Sequence, residues 1–500
     1  MRASGMCASK RGVPSVRETV AMRIAYSVET VRAAEQDLMA RLPEGTLMQR
    51  AAAGLAATCA DLLHRIYGAR IALLTGSGDN GGDALYAGAR LARRGAGVTA
   101  VLLAPDRAHP GGLRALRAAG GRAVTAAEGE RALMHADLVL DGIVGIGGKG
   151  GLREEAERLV RLVRGTVVAV DLPSGVDADT GEVRGAVVRA DATVTFGTYK
   201  PGLLIDPAHE HAGALRLIDI GLDPYLPSVP DAEALQHEDV AALLPRPTAE
   251  SDKYRRGVVG VVAGSARYPG AAVLAVAGAL RGGAGAVRYV GPGADTVIAR
   301  FPETLVHTGP PAKAGRVQSW VVGPGLGDGA AARHSLDDVL GSDIPVLVDA
   351  DGLHLLPSGG LHGRAAATVL TPHAGEAAAL LGAGREEVES GRLAAVRALA
   401  DKYGATVLLK GSTTLVASPG HPVRVNPTGT AWLATAGSGD VLSGLTGSLL
   451  ATGLTARDAA SVGAYLHGLA ARRTTAPAGA PIAAYDVAAA VPEAWRDVLG

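Results

Sequence analysis

Cysteine is almost missing: the 500-residue chain holds only Cys7 and Cys59, too few for a disulfide framework or a cysteine-rich zinc site. Aromatic residues make up 3%, which leaves cores of Ala, Val and Leu and few ring faces on which nucleic-acid bases stack. Neither charge sign is in excess, with Lys+Arg and Asp+Glu at 49 each. Nucleic-acid binders normally carry a basic excess, so no nucleic-acid partner is expected. The longest apolar runs, such as 271–280, fall far short of the roughly 20 residues that cross a bilayer. The basic N-terminus has no apolar stretch of the secretory kind. A reduced, soluble, cytoplasmic protein without a membrane partner is the expectation.

Hydrophobic residues reach 48% and glycine 69 of 500, a globular composition with many sharp turns or close backbone approaches. This length suits two domains. Residues 1–21 mix Arg, Ser and Gly without an apolar period and read as a disordered tail. From Met22 onward short Val/Ile/Leu runs alternate with helical stretches, the signature of parallel α/β architecture. Strands are expected at 70–74, 98–103, 138–140, 167–170, 192–196 and 214–220, with a helix at 84–94. Pro224, Pro227, Pro230, Pro245 and Pro247 punctuate 223–250, which reads as a linker between domains 22–222 and 251–500. Beyond it strands are expected at 258–262, 286–290, 320–322, 346–348, 368–370 and 406–409. Leu393, Val396, Leu399, Ala400 and Tyr403 form one helical stripe, and the final helices fall at 441–450 and 456–472.

The first strand runs into Gly76-Ser77-Gly78-Asp79-Asn80-Gly81-Gly82-Asp83, the strand, G-x-G-x-x-G, helix context of a phosphate-cradling turn. A tight turn with Asp83 as helix cap explains the same letters. Asp141 closes a later strand ahead of Gly145-Ile146-Gly147-Gly148-Lys149-Gly150-Gly151, and Asp171 closes the next ahead of Pro173-Ser174-Gly175. Strand C-termini of a parallel sheet converge on one crevice. Asn80, Asp141, Asp171 and Ser174 therefore offer hard oxygens that suit potassium or magnesium.

In the second half, Thr435-Ala436-Gly437-Ser438-Gly439-Asp440 stands directly before a helix. Backbone N–H groups there make an anion hole for a transferring phosphoryl group, and Asp440 is placed to accept a proton from an attacking hydroxyl. Asp440 also reads as a plain helix cap. Lys410-Gly411-Ser412-Thr413-Thr414 follows a strand and suits nucleotide phosphates, or is simply a hairpin turn.

The motifs Asn80-Gly81-Gly82-Asp83, Asp141 with its glycine loop and Asp171-Leu172-Pro173-Ser174-Gly175, together with the opening 22–27, resemble the NAD(P)H-hydrate epimerase (YjeF N-terminal) family, with departures at Asp79 and Ala84. Six ordered motifs resemble ADP-dependent NAD(P)H-hydrate dehydratases of the ribokinase-like superfamily. They are Lys253-Tyr254 to Gly264-Ser265, 268–272, 323–327, 349–352, 371–376 and 426–429. The resemblance implies two three-layer α/β/α domains, the first Rossmann-like and the second ribokinase-like. It implies a bifunctional enzyme, an isomerase and a lyase, that repairs hydrated NADH and NADPH. Residues 79–83, 145–151 and Asp171 are implied to bind the hydrated nucleotide, with Asp171 catalytic. Asn80, Asp141 and Ser174 are implied to hold potassium. In the second domain Ala271, Gly327, His373 and Asp440 are implied to bind the substrate. Lys410, Gly411, Ser412, Thr413, Thr414 and Gly439 are implied to bind ADP, and magnesium to accompany it. A homo-oligomer is expected. The alternative is a ribokinase-like small-molecule kinase, of the hydroxymethylpyrimidine type, fused to a non-catalytic nucleotide-binding domain.

Overall fold

The computed structural model describes residues 22–477 and 479–500; the tail read at 1–21 lies outside the described residues. Eighteen strands are present among these: β1 (Arg23–Ala25), β2 (Arg70–Thr75), β3 (Gly97–Leu102), β4 (Arg122–Thr125), β5 (Leu138–Gly142), β6 (Thr166–Val170), β7 (Ala192–Phe196), β8 (Ala214–Ile218), β9 (Ala232–Ala234), β10 (Val258–Val262), β11 (Ala286–Val290), β12 (Leu305–His307), β13 (Ser319–Val322), β14 (Val346–Val348), β15 (Thr368–Leu370), β16 (Thr406–Leu409), β17 (Thr414–Ala417) and β18 (Val423–Asn426).

Seven of them form a wholly parallel sheet in the order β4-β3-β2-β5-β6-β7-β8. Alternate side chains of β2 serve opposite faces, as the two-residue period of a strand requires. Ile71 and Leu73 pack under the helices Thr46–Leu63 and Asp79–Arg93, while Ala72 and Leu74 pack with Leu133 and Leu159 on the other side. Both faces are covered, which is why these strands read as continuous apolar runs. The other sheet has 11 strands in the order β1-β9-β18-β17-β16-β15-β14-β13-β10-β11-β12. Its span from β16 to β12 is parallel, and β16, β17 and β18 are antiparallel neighbours. β10 again splits its residues, Val258 and Val262 to one core and Val259 and Val261 to the other.

The segment 223–250, read from its prolines as a linker, contains β9 and a helix, His237–Leu243. β9 lies between β18 and β1, so residues 23–25 join the sheet of the second half although the first half follows them in sequence. Strands of three residues carry no readable period, and prolines nearby hide them. One continuous core holds Leu203, Leu204, Ile205 and Leu215 together with Leu370, Leu409 and Leu415. The two halves are therefore packed on each other.

The helix expected at 84–94 begins earlier, at Asp79, capped by Gly78. Asp83 is thus a buried residue inside the helix and not its cap. The glycines were read as turn formers because glycine is a poor helix former. Here Gly81 lets the first turn lie against the Gly76 carbonyl, where an added Cβ would stand 2.7 Å from that oxygen. The helix Ala484–Leu499 has no counterpart in the sequence reading, since Pro492 interrupts its pattern.

Candidate active sites

In the seven-stranded sheet the chain turns to opposite sides after β2 and after β5, and these strands are neighbours. A crevice opens at the C-terminal ends of strands where the order reverses in this way. Asn80 follows β2, Asp141 is next to last in β5, and Asp171 and Ser174 follow β6. Asp171 has φ 67, one of three positive-φ non-glycine residues among those described. Such a conformation costs on the order of 1–3 kcal/mol and persists only where the surroundings impose it. They do so through Asp171 Oδ1, which accepts from Lys200 Nζ at 2.5 Å, Thr195 Oγ1 at 3.0 Å and the Phe196 N–H at 3.4 Å. Lys200 is itself buried. Around this pair stand further carboxyls. Burial, reinforced by the charges of Asp171, Asp79 and Glu35, holds Asp83 well above the usual carboxylate range. Glu35, from the helix Val28–Met39, is also raised by burial, with the Lys200 charge opposing. The site thus places an ion pair beside carboxyls whose pKa values burial raises.

Asp141 is fully buried. Its oxygens accept from Ser174 Oγ at 2.6 Å, the Ser174 N–H at 2.8 Å and the Ile143 N–H at 3.3 Å. Burial still lifts its carboxyl to about 6. An ideal Cβ on Gly145 would lie 3.1 Å from Asn80 Oδ1, so the amide reaches into the same loop. A buried carboxylate without a cationic partner among the described residues, with the Ser174 hydroxyl against it and the Asn80 amide nearby, suits a monovalent cation better than a divalent one. Among the described residues no group of three or more His, Cys, Asp or Glu is arranged to cage a metal. The glycine loop continues past Arg32, whose guanidinium is 3.1 Å from an ideal Cβ on Gly147.

The second site forms where β13, β14, β15 and β16 end side by side. Asp349 follows β14, His373 follows β15 and Lys410 follows β16. The helix Ser438–Ala451 enters this edge with Gly437 as its N-cap at φ 87, so Asp440 stands in its first turn. Buried from Val441 onward, this helix touches the helix Pro269–Arg281 closely at Gly444 and Gly278, where any side chain would meet the facing backbone. An ideal Cβ on Gly439 would lie 3.4 Å from Lys410 Nζ and 3.8 Å from Asp349 Oδ2. The first turn of this helix therefore lies beside a lysine and an aspartate. Lys410 Nζ donates to Asp349 Oδ1 at 2.8 Å, and Ser443 Oγ donates to Asp349 Oδ2 at 2.7 Å. Burial, then the Asp349 charge, lifts Asp440 to about 7, with Lys410 opposing. His467, pushed down to about 4 chiefly by burial, holds the Ser438 carbonyl at 3.0 Å. Ala350 has φ 48, so each site has a strained turn beside an aspartate.

A family model described as NAD(P)H-hydrate dehydratase matches residues 259–493, and one described as YjeF-related protein N-terminus matches 44–202. The bifunctional NAD(P)H-hydrate repair enzyme Nnr of Mycobacterium leprae (strain TN) is 50% identical over 469 residues, 92% of this chain and 95% of that protein. The chain belongs to the bifunctional NAD(P)H-hydrate repair enzyme family. The Nnr of Mycobacterium tuberculosis (strain ATCC 25618 / H37Rv) is likewise 50% identical, over 449 residues that make up 88% and 92% of the two chains. Among solved structures, the ADP/ATP-dependent NAD(P)H-hydrate dehydratase from Bacillus subtilis, co-crystallized with ATP/Mg2+, is 28% identical at a TM-score of 0.49, covering 53% of this chain and 97% of that one. The resemblance read from the motifs is borne out, and the two matches in this repair-enzyme chain fall one on each site.

The remaining motif residues sit as follows. Gly327, at φ 80, donates its N–H to Asp351 at 2.7 Å. Ala271 faces Gly325, where an ideal Cβ would lie 2.7 Å from its own. His373 caps the helix Ala374–Leu381, with Nδ1 accepting from the Gly375 and Glu376 N–H groups, and its ring is 59% exposed. Its Nε2 lies 3.5 Å from Glu376 Oε1, and the other oxygen of that carboxylate lies 3.6 Å from Lys410 Nζ. Residues 410–413 are indeed the turn of the β16–β17 hairpin. Thr414 lies in β17, and Thr413 is buried against the first half and not presented at the mouth. Lys200, Glu35, Asp349 and Ser443 were not assigned roles from sequence. Lys200 was within reach, since it follows β7 and the strand-end argument applies to it equally. Glu35 lies on an ordinary amphipathic helix and gave no signal.

Proposed function

We propose that the first half interconverts the R and S epimers of hydrated NADH and NADPH, and that the second half dehydrates the S form using ADP. The observation that carries the second assignment is Asp440: a half-buried carboxyl with its pKa lifted to about 7, in the first turn of a helix whose Gly439 lies beside Lys410. A base near neutrality takes the proton of the 6-hydroxyl as that oxygen attacks the β-phosphorus of ADP. The N–H groups and Lys410 hold the charge that develops on the phosphoryl oxygens. AMP departs, the 6-phosphoester then loses phosphate with the ring nitrogen's electrons, and loss of the C5 proton restores NAD(P)H. Magnesium supplies charge neutralisation on the diphosphate when bound. Asp351, at the mouth, would hold it, since this ion usually rests on phosphates with one or two carboxylates.

In the first half, Asp83, whose carboxyl burial holds well above the usual carboxylate range, suits protonation of the departing 6-hydroxyl. Water leaves, the ring nitrogen forms a double bond to C6, and water returns from either face with its proton going back to Asp83. Lys200 fixes Asp171 towards the cationic ring. Asn80, Asp141 and Ser174 would hold potassium, whose charge the buried Asp141 lacks. Residues 79–83 and 145–151 would surround the nucleotide. Both sites being built supports an enzyme with two activities over a kinase with a silent first half. A cytoplasmic homo-oligomer remains the reading for location and assembly.

The test is product analysis with S hydrate and ADP. NAD(P)H, AMP and phosphate in equal amounts are expected; a stable phosphorylated product would favour the kinase.

A further inference from the structure

Asp206 belongs to the first half, yet its hydrogen bonds go to the hairpin turn of the second. Its Oδ2 accepts from Ser412 Oγ at 2.6 Å and from the Thr413 N–H at 2.8 Å. Its own N–H donates to Thr413 Oγ1 at 3.0 Å. On the other side of the same turn Arg392 donates to the carbonyls of Thr413, Lys410 and Leu409 at 2.9, 3.2 and 3.4 Å. Asp206, Thr413 and Arg392 are all buried, while Gly411 and Ser412 at the tip are exposed. Leu203, Leu204 and Ile205, fully buried just before Asp206, root it in the core the halves share.

The turn is therefore gripped from two sides by opposite charges, its donors by a carboxylate of one half and its acceptors by a guanidinium of the other. Charged partners make the stronger hydrogen bonds. Within the hairpin itself, the side-chain bond on the turn is the one from Thr414 Oγ1 to the Gly411 carbonyl at 3.2 Å. Lys410, at its base, is the residue that meets Asp349 beside Asp440.

We infer that Asp206 is a positioning residue of the dehydratase: the first half, through this carboxylate, sets the turn 410–413 in the shape that receives ADP. The inference rests on the proposed ADP-dependent dehydration and on the ADP-binding role that the family resemblance implies for residues 410–414. It makes the first half a structural part of the second site, in addition to its own chemistry. Because Asp206 touches neither Asp440 nor Asp349, its loss acts on nucleotide affinity and leaves the chemical step and the epimerase site as they are.

The experiment uses the full chain. ADP affinity is measured by calorimetry, and KM for ADP, kcat and KM for S hydrate by dehydration kinetics, for the wild type, Asp206→Ala and Asp206→Asn. Epimer interconversion is followed in each as a check on folding. Asp206→Ala is expected to weaken ADP about tenfold or more, in both Kd and KM. Its kcat at saturating ADP, KM for S hydrate and epimerisation stay near wild type. Asp206→Asn keeps an acceptor in the same volume but loses the charge, so it should weaken ADP by a smaller, still measurable factor of about three; it also decides the matter if the alanine variant does not fold. ADP affinity equal to wild type in the variants that fold, or kcat falling with KM unchanged, overturns the inference. If the wild type binds ADP but dehydrates nothing, the proposed function fails while the affinity ratio still judges Asp206.

Discussion

Lys410 Nζ lies 2.8 Å from Asp349 Oδ1, while Ser443, one turn into the Ser438–Ala451 helix, holds the other oxygen of that carboxylate at 2.7 Å. The pair ties the end of β14, the end of β16 and the helix into one rigid edge. Its charges act on Asp440 in opposite directions, Asp349 raising its pKa and Lys410 lowering it.

Replacing the base should separate binding from chemistry. In Asp440→Asn, ADP still meets the helix N–H groups and Lys410, so calorimetric affinity stays close to wild type. Dehydration of S hydrate should fall by about 10² or more, the usual scale for losing a general base. Unchanged turnover would reduce Asp440 to a helix cap.

The same residue sets a pH dependence. With its pKa at about 7, Asp440 loses its basic form below neutrality, so the dehydration rate should decline as pH drops through about 7. The stability effect has a defined sign. Between the ordinary value near 3.8 and about 7 the folded protein holds a proton that the unfolded chain has released, so folding is progressively penalised as pH rises across that window. Asp440→Asn should therefore melt higher than wild type above neutrality, with the gain disappearing towards pH about 4. A variant less stable at pH about 8 would contradict the raised pKa of Asp440.

Much of this was legible because strands buried on both faces announce themselves. Val258–Val262, Ala286–Val290 and Thr406–Leu409 stand where their apolar runs place them. The edge of the large sheet was not, since β1 and β9 are each three residues long and gain stability from pairing across the chain. β17 and β18 are four residues each, too short for a readable period, although the turn before them reads as a hairpin as well as a phosphate loop. At the sites, aspartates closing strands were found because position and chemistry coincide. Asp83 was misplaced because glycine signals a turn even where, as at Gly81, it serves close packing inside a helix. Asp206 shows the limit most plainly. Its partners lie about two hundred residues away, at 412 and 413, and no local pattern encodes such a contact.

Breaking the other ion pair should silence only the first half. Lys200→Met leaves the Asp171 carboxylate buried beside the carboxyls of Asp83 and Glu35. Losing one partner of a buried pair typically costs about 3–5 kcal/mol, so a lower melting temperature is expected along with loss of epimer interconversion. Dehydration of pure S hydrate should continue. Epimerisation at the wild-type rate would remove Lys200 from that site.

Potassium should matter to the first half alone. Asp141, lifted to about 6 by burial, should titrate lower when a cation sits against it, so potassium ought to raise the melting temperature most near pH 7 and little near pH about 4. With a bulky organic cation in its place epimerisation should slow, and in Asp141→Ala it should collapse under either salt. Equal rates and equal melting under both salts would leave Asp141 a capping residue.

The central claim is that one chain repairs both epimers, and a time course on an R and S hydrate mixture tests it most directly. Chromatography would follow each epimer, with Asp171→Ala beside wild type to expose any spontaneous interconversion. With ADP, wild type should consume both epimers completely and yield NAD(P)H, while Asp171→Ala consumes S rapidly and leaves R to decline slowly. Without ADP, wild type should only bring the epimers to a constant ratio. Wild type that stalls once S is gone, or R that disappears equally fast in Asp171→Ala, would contradict the account.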